Sequence, residues 1–159
     1  MNIFSMSEIV DMGIEKEKKR RDFYGLASEK FDGKDIKELF AKLRDWEGEH
    51  IKKFTGIREN IKEAGETESY EGEMNSYMRA LLDDKLYNDV SPEKFGDNVK
   101  TPLDAISYGI GFEKDAIIFF NEIVKYTVSA RKDVIKELIE EEKQHIIYLA
   151  ALKEKYGGV

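Results

Sequence analysis

The stretch of sequence that decides the fold is DIKELFAKLRDWEGEHIKKFTGI, residues 35–57. Its apolar residues recur at alternating steps of four and three, which is the spacing of one face of an α-helix. Two polar residues, Glu47 and His50, stand in the middle of this apolar face. Because residues three apart lie on the same side of a helix, both side chains should point together into the protein interior.

The same pattern returns near the end of the chain, in residues 135–156. There Glu142 and His145 interrupt an apolar face at the same spacing of three. The chain has only two histidines, and both fall in a Glu-x-x-His motif on a predicted core face. Chance rarely produces such a placement, so the two motifs indicate a shared site.

Two further helices each bring a single glutamate to an apolar face. Glu17 lies in a predicted helix that begins after Ser5 and ends at about residue 31, and Glu113 lies in one that begins at Thr101 and Pro102. Ser5 and Thr101 are residues that favour helix N-caps, and proline is well tolerated at the first helical position. The sequence therefore predicts four long helices with one glutamate or one Glu-x-x-His motif in each.

The spacing of these glutamates predicts how the helices pair. Glu113 lies 96 residues after Glu17, and the second Glu-x-x-His motif lies 95 residues after the first, as in a diverged repeat. Partners in an antiparallel hairpin lie at equal distances from its turn, and the midpoint of Glu17 and Glu47 is residue 32, in Asp32-Gly33. The second midpoint falls between residues 127 and 128, just before the polar stretch 129–133 in which we expect the second turn.

The predicted fold class is therefore all-α, a four-helix bundle of two antiparallel hairpins. Residues 66–100 form a link between helices 2 and 3 that is too long for a simple turn, and residues 70–87 have helical composition. We expect a long, partly helical crossover between the hairpins. No stretch alternates with the period of a β-strand.

Composition excludes several classes of function. The 159 residues are 41 % hydrophobic, enough for a single domain that spans residues 1–159. The net charge of -7 argues against binding to nucleic acid, which needs clustered basic residues. There is no cysteine, so disulfides, thiolate catalysis and a rubredoxin-type iron site are excluded. No membrane segment or signal peptide is predicted, and we expect a cytoplasmic protein.

Four carboxylates that face one apolar interior would repel one another and lose their hydration, so they require cations among them. Two divalent ions would neutralise them with both imidazoles neutral. Oxygen and imidazole ligands without thiolate suit iron or manganese, although zinc would also bind, and we favour two iron ions. We expect Glu47 and Glu142 to bridge the ions. The predicted metal ligands are Glu17, Glu47, His50, Glu113, Glu142 and His145.

The residues next to the predicted ligands are assigned to the solvated surface or to ordinary packing unless their position suggests more. We expect four glutamates off the apolar faces to be solvated: Glu15, Glu49, Glu140 and Glu141. The basic run 16–21 is also predicted to be a solvated face, although Arg20 or Arg21 could pair with an acid near the site. Tyr24, seven residues after Glu17, is either a hydrogen-bond donor or redox partner of the site or an ordinary core residue, whereas Phe120 at the matching place can do neither. Trp46 is expected to serve packing.

The motif set resembles the ferritin-like di-iron carboxylate superfamily, and within it the rubrerythrin group. The similarity extends over nearly the whole chain: Glu17 with Phe23-Tyr24, Glu47 to His50, Glu113 with Phe119-Phe120, and Glu142 to His145. It implies a ferritin-like di-iron bundle. Rubrerythrins proper carry a Cys-rich rubredoxin domain, so its absence implies a separate electron donor. Bacterioferritins place a haem-binding methionine where this chain has Gly48, so no haem is expected.

Three functions are compatible with these residues. A di-iron oxidoreductase of peroxidase type, active against oxidative stress, would reduce hydrogen peroxide, or react with dioxygen, using an external electron donor such as a rubredoxin-like protein. The alternative is a ferroxidase in an iron-storage cage. A third hypothesis is a metal that only holds the bundle together. The rubrerythrin resemblance favours the peroxidase, and we expect a homo-oligomer, with a dimer favoured.

Overall fold

The structure is a computed structural model and describes residues 5–64, 73–127 and 129–157. These residues contain no β-strand. Four helices are long and three are short: α1 (Met6–Lys30), α2 (Lys34–Ala64), α3 (Glu73–Leu81), α4 (Lys85–Asn88), α5 (Phe95–Asn98), α6 (Pro102–Ile123) and α7 (Ser129–Lys155). A 3₁₀ turn, Val124–Tyr126, follows α6. The all-α fold class is confirmed.

The long helices form two hairpins, as the glutamate spacing predicts. Helix α1 packs along α2, α6 packs along α7, and the hairpins meet where α1 contacts α6 and α2 contacts α7. The predicted N-caps are both present, because the Ser5 and Thr101 side chains each accept a hydrogen bond from the third helical residue. The first turn lies between Lys30 and Lys34, at the predicted break.

The second turn lies earlier than the polar stretch 129–133. These residues already belong to α7, which begins at Ser129. The chain turns instead through Val124–Tyr126 and Thr127, whose hydroxyl donates to the Ile123 carbonyl at 2.8 Å. Polar residues are as compatible with the exposed first turn of a helix as with a loop, so polarity alone gave the wrong boundary, whereas the glutamate midpoint gave the right one.

The crossover contains α3, α4 and α5 and lies against α1 and α6. Helical structure is confirmed for parts of 73–87, whereas 70–72 lie outside the described residues. Tyr87 of the crossover stacks on Phe112 of α6 with ring centroids 4.5 Å apart. Phe95 packs edge-on against Phe23 of α1. The crossover is therefore part of the core and covers one side of the bundle.

The core has two apolar clusters, one at each end of the bundle. In every long helix, the glutamate that was predicted to be a metal ligand lies along the chain between a residue of one cluster and a residue of the other. In α1, for example, Glu17 lies between Ile14 and Phe23. The site is therefore at mid-height with apolar packing on both sides. None of the described helices is long and apolar enough to cross a membrane.

Candidate metal centre

All six predicted ligands meet in the interior of the bundle, and none of them is more than 4 % exposed. They form two groups, each with ligand atoms within 4.8 Å of one another. The first group contains Glu17, Glu47, His50 and Glu142, and the second contains Glu47, Glu113, Glu142 and His145. Glu47 and Glu142 belong to both groups, and this is the arrangement expected of residues that bridge two ions.

The unsatisfied atoms of the site converge on the same space. Both carboxylate oxygens of Glu17, Glu47 and Glu142 are buried, as are Nδ1 of His50 and Nδ1 of His145, and among the described residues these atoms have no hydrogen-bond partner beyond one another and Arg20. Buried polar atoms are normally paired. The large number of unsatisfied atoms in one place therefore requires a ligand. Carboxylate oxygens and imidazole nitrogens are ligands for iron, manganese or zinc. The residues therefore fit two cations.

The two imidazoles turn the same atom inward. Nδ1 of His50 lies 2.5 Å from Glu142 Oε1, and Nδ1 of His145 lies 3.5 Å from both Glu113 Oε1 and Glu142 Oε2. The rings are parallel, with centroids 5.4 Å apart. Each motif thus presents one nitrogen to the shared carboxylates and leaves its Nε2 directed away from them.

Glu141 was predicted to be a solvated residue, and its side chain is 35 % exposed, but it also contacts the site. Its Oε2 lies 2.6 Å from Nε2 of His50, and its Oε1 accepts from Lys53 at 3.0 Å. A carboxylate on the outer nitrogen of a histidine fixes the ring orientation and raises the basicity of the inner nitrogen. Glu49 and Glu140 are exposed as expected, and so is Glu15.

The position that matches Glu141 in the first half of the chain is Trp46, because each directly precedes a shared glutamate. Trp46 stacks on the ring of His145, with centroids 5.2 Å apart and planes inclined by 10°. The repeat could therefore have identified both residues, since each contacts the histidine of the opposite motif. Trp46 is a packing residue, as predicted, but it packs on the site itself.

The prediction of a solvated face for residues 16–21 was wrong at two positions, because Lys16 and Arg20 are both only 2 % exposed. Arg20 Nη2 lies 2.5 Å from Glu17 Oε1, and Arg20 Nε lies 3.6 Å from Glu47 Oε2. Lys16 pairs with Asp115 at 3.1 Å. Arg20 does pair with an acid, as one alternative allowed, and that acid is a predicted metal ligand.

Tyr24 is fully buried, and its hydroxyl donates to Glu113 Oε1 at 2.6 Å. Burial and the charges of Glu47 and Glu142 raise its pKa well above the usual value, so the phenol keeps its proton. Of the two interpretations from the sequence, the geometry supports the hydrogen-bond donor. Phe120, at the matching place in the second half, is buried in the apolar core.

In the metal-free protein, the carboxylates and imidazoles of the site share protons. Burial lowers the pKa of each histidine, but hydrogen bonds to Glu142 and Glu47 outweigh it, so the pKa of His50 rises to about 11 and that of His145 to about 10. Burial also raises the pKa of Glu17, against the effect of Arg20. Burial raises the pKa of Glu47, but hydrogen bonds from Glu17 and the two histidines outweigh this effect and lower it.

A cleft of about 400 Å³ leads from the surface of α2 and α7 to the two imidazoles. Both histidines line it, together with Trp46, Lys53 and Tyr148. On the opposite side the crossover covers the site, so the cleft provides access from the α2 and α7 side.

A model of one protein family, Rubrerythrin, matches residues 8–153. The chain belongs to the rubrerythrin family. Among solved structures, it is similar to a Thermotoga maritima protein described as a ferritin-like diiron-carboxylate protein, with 24 % sequence identity and a TM-score of 0.69 over 98 % of this chain and 99 % of that one. At this identity the likeness supports the ferritin-like fold of this rubrerythrin family member and no more. The comparison with curated proteins gives no match.

Proposed function

We propose that the protein is a di-iron oxidoreductase that reduces hydrogen peroxide with electrons from a separate donor. The observation that carries this proposal is the pair of ligand groups that share Glu47 and Glu142. Two groups of this kind suit two metal ions side by side, with one histidine each. Membership of the rubrerythrin family supports iron as the metal and peroxide as the oxidant.

In this proposal, Glu47 and Glu142 would hold both ions, Glu17 and His50 would complete one position, and Glu113 and His145 would complete the other. Two ferrous ions would supply one electron each to the O–O bond of hydrogen peroxide, which takes up two protons and becomes two molecules of water. A separate one-electron donor protein, such as a rubredoxin-like protein, would then return both electrons. The chain has no cysteine with which to hold a rubredoxin-type iron of its own.

The surrounding residues prepare the site for this chemistry. Tyr24 orients Glu113 through its hydroxyl, and Glu141 orients His50 through Nε2. Trp46 covers one face of His145 and keeps bulk water off that ring. The cleft beside the imidazoles has room for hydrogen peroxide next to both histidines.

The test compares the two oxidants directly. Iron-loaded, reduced protein is mixed anaerobically with hydrogen peroxide or with dioxygen in a stopped-flow instrument, and oxidation is followed by absorbance. We expect peroxide to react faster, turnover to stop after one cycle, and a rubredoxin-like donor to restore it.

Iron retention separates this activity from storage. An oxidoreductase should keep about two irons per chain when ferrous salt and oxidant are added, whereas a storage protein accumulates many in a cage. Faster oxidation by dioxygen, or accumulation of many irons in a large assembly, would move the assignment to storage.

A further inference from the structure

The two halves of the site differ in the residues that follow Glu17 and Glu113, the terminal glutamates, each of which belongs to one ligand group only. Three residues after Glu17 comes Arg20, whereas three residues after Glu113 comes Ala116. Ala116 is buried in the apolar core, only 1 % exposed. The repeat therefore has a buried cation in one half and a methyl group in the other.

This difference places a full positive charge closest to one of the two ligand groups, because the nearest contact of Arg20 is with Glu17 and its longer contact is with Glu47, which both groups share. Arg20 contacts Glu17 at 2.5 Å and approaches Glu47 at 3.6 Å. Glu113 is held instead by the neutral hydroxyl of Tyr24, at 2.6 Å. Each terminal glutamate thus has a hydrogen-bond donor, but only the donor to Glu17 carries a charge.

The guanidinium is fixed where it lies. Its Nη1 donates to the hydroxyl of Tyr87 at 2.7 Å, and Tyr87 donates to Asp115 at 2.8 Å. An arginine does not lose its proton in a protein. Its charge is also poorly screened, because the side chain is only 2 % exposed.

One nearby charge acts in the opposite direction. Glu141, on Nε2 of His50, favours a cation at the same position. Its side chain is 35 % exposed, however, and Lys53 lies 3.0 Å from it. Solvent and Lys53 therefore weaken its effect, whereas Arg20 is only 2 % exposed and reaches the Asp115 carboxylate only through the hydroxyl of Tyr87.

We propose that the protein binds its two metal ions in a fixed order, with the Glu113/His145 position filled first and the Glu17/His50 position weakened by Arg20. This inference rests on the two-metal centre of the proposed function but not on the reaction that the centre performs. It predicts a half-loaded form at low metal concentration, in which one ion is bound beside Trp46.

Single-site variants measure the two affinities separately. His50→Ala disables the Glu17/His50 position, and His145→Ala disables the other. In calorimetric titrations with Zn²⁺, we expect His50→Ala to bind one ion about 10-fold more tightly than His145→Ala does, a difference readily resolved as a ratio of dissociation constants. Equal affinities, or tighter binding by His145→Ala, would overturn the proposal.

Variants of Arg20 test the cause. Arg20→Gln removes the charge and keeps a hydrogen-bonding side chain, so in this background the affinities of the two single-site variants should converge. Arg20→Lys keeps the charge and should keep the gap, and Glu141→Gln should widen it. A gap that persists in a folded Arg20→Gln protein, judged by circular dichroism, would contradict the role of Arg20.

The wild-type protein gives an independent readout, because Trp46 is the only tryptophan of the chain and stacks on His145. With Co²⁺, which quenches tryptophan emission, the first equivalent should cause most of the quenching, with His50→Ala and His145→Ala as calibrations of each position. Equal quenching by both equivalents would count against the order. Slow reaction with peroxide, in contrast, would refute the proposed reaction and leave this result untouched.

Discussion

The two histidines direct Nδ1 towards the shared carboxylates. Nδ1 of His50 lies 2.5 Å from Glu142, and Nδ1 of His145 lies 3.6 Å from Glu47. These carboxylates raise the pKa of both imidazoles, to about 11 and about 10. A metal ion needs a neutral imidazole, so it must displace the extra proton of each ring.

Metal binding should therefore release about two protons at neutral pH, one from each histidine, and more if Glu17 is also protonated. The affinity should rise with pH towards 10 and fall on acidification, because protons compete with the ions. Calorimetric titrations with Zn²⁺ in buffers of different ionisation enthalpy measure the number released.

His145→Ala provides the control, since it should bind one ion and release about one proton fewer. Binding heats that are independent of the buffer would show that the imidazoles are already neutral. That result would contradict the raised pKa values of both histidines.

The site residues that could be predicted from the sequence are those whose apolar neighbours lie on the same face of the same helix. The six glutamates and histidines interrupt apolar faces, and this pattern is visible locally. Arg20 is different, because its burial depends on Tyr87, which lies 67 residues further along the chain. Lys16 likewise depends on the Leu81 carbonyl in the crossover. A basic run that a distant segment covers has the same local pattern as a solvated face.

At the scale of helices, caps and hairpins were predictable because they depend on residues a few positions apart. Ser5 and Thr101 form the expected caps, and the Asp32-Gly33 break separates α1 from α2. The start of α7 was missed because the first turn of a helix can be as polar as a loop. The path of the crossover was also beyond the sequence, since it depends on the shape of the bundle that it covers.

Close packing between helices makes Gly13 of α1 sensitive to substitution. A Cβ atom at this position would lie 2.5 Å from Phe54 of α2 and 2.6 Å from Phe119 of α6. Both rings are buried, so they have little room to move. Gly13→Ala should lower the free energy of unfolding by roughly 1–2 kcal/mol, because overpacking outweighs the gain in helix propensity. Urea unfolding of the metal-free protein measures this change.

Gly48→Ala is the matched control within a helix. Apart from its own helical turn, no atom of the described residues lies within 4 Å of a Cβ at this position of α2. Removing glycine from a helix interior should therefore stabilise the protein by about 0.5–1 kcal/mol. Stabilisation by both alanines would show that α1 does not approach the two phenylalanines as closely as the structure has it.

At the scale of the whole molecule, the crossover lies on one side of the site and the cleft at the histidines lies on the other. The crossover covers the α1 and α6 side, where Tyr87 holds Arg20 and Lys16 reaches Leu81. The cleft opens on the α2 and α7 side, at the two histidines. The same long link that connects the hairpins thus covers the buried charge of Arg20, whereas the two buried imidazoles line the cleft on the other side.

Metal and fold should be thermodynamically coupled, and the coupling should depend on pH. In the metal-free protein, the raised pKa values of His50 and His145 give stability that is fully present below about pH 6.5 and is lost as pH rises through about 10 to 11. The raised pKa of Glu17 acts in the same direction, from its ordinary value upwards. The lowered pKa of Glu47 acts only in acid, where falling pH removes its contribution.

Chelation should therefore lower the melting temperature more at about pH 8 than at about pH 5.5. Above the unfolded histidine pKa, the metal-free form loses up to about 1.4 kcal/mol per pH unit for each proton that only the folded state retains. The metal-bound form gains stability over the same pH range, because protons compete less with the ions for the ligands. Calorimetric melting of the iron- or zinc-loaded protein, with and without chelator at both pH values, measures the two differences. A metal-free protein as stable as the loaded one at pH 8 would mean that its four buried carboxylates need no cation, against the electrostatic argument for the centre.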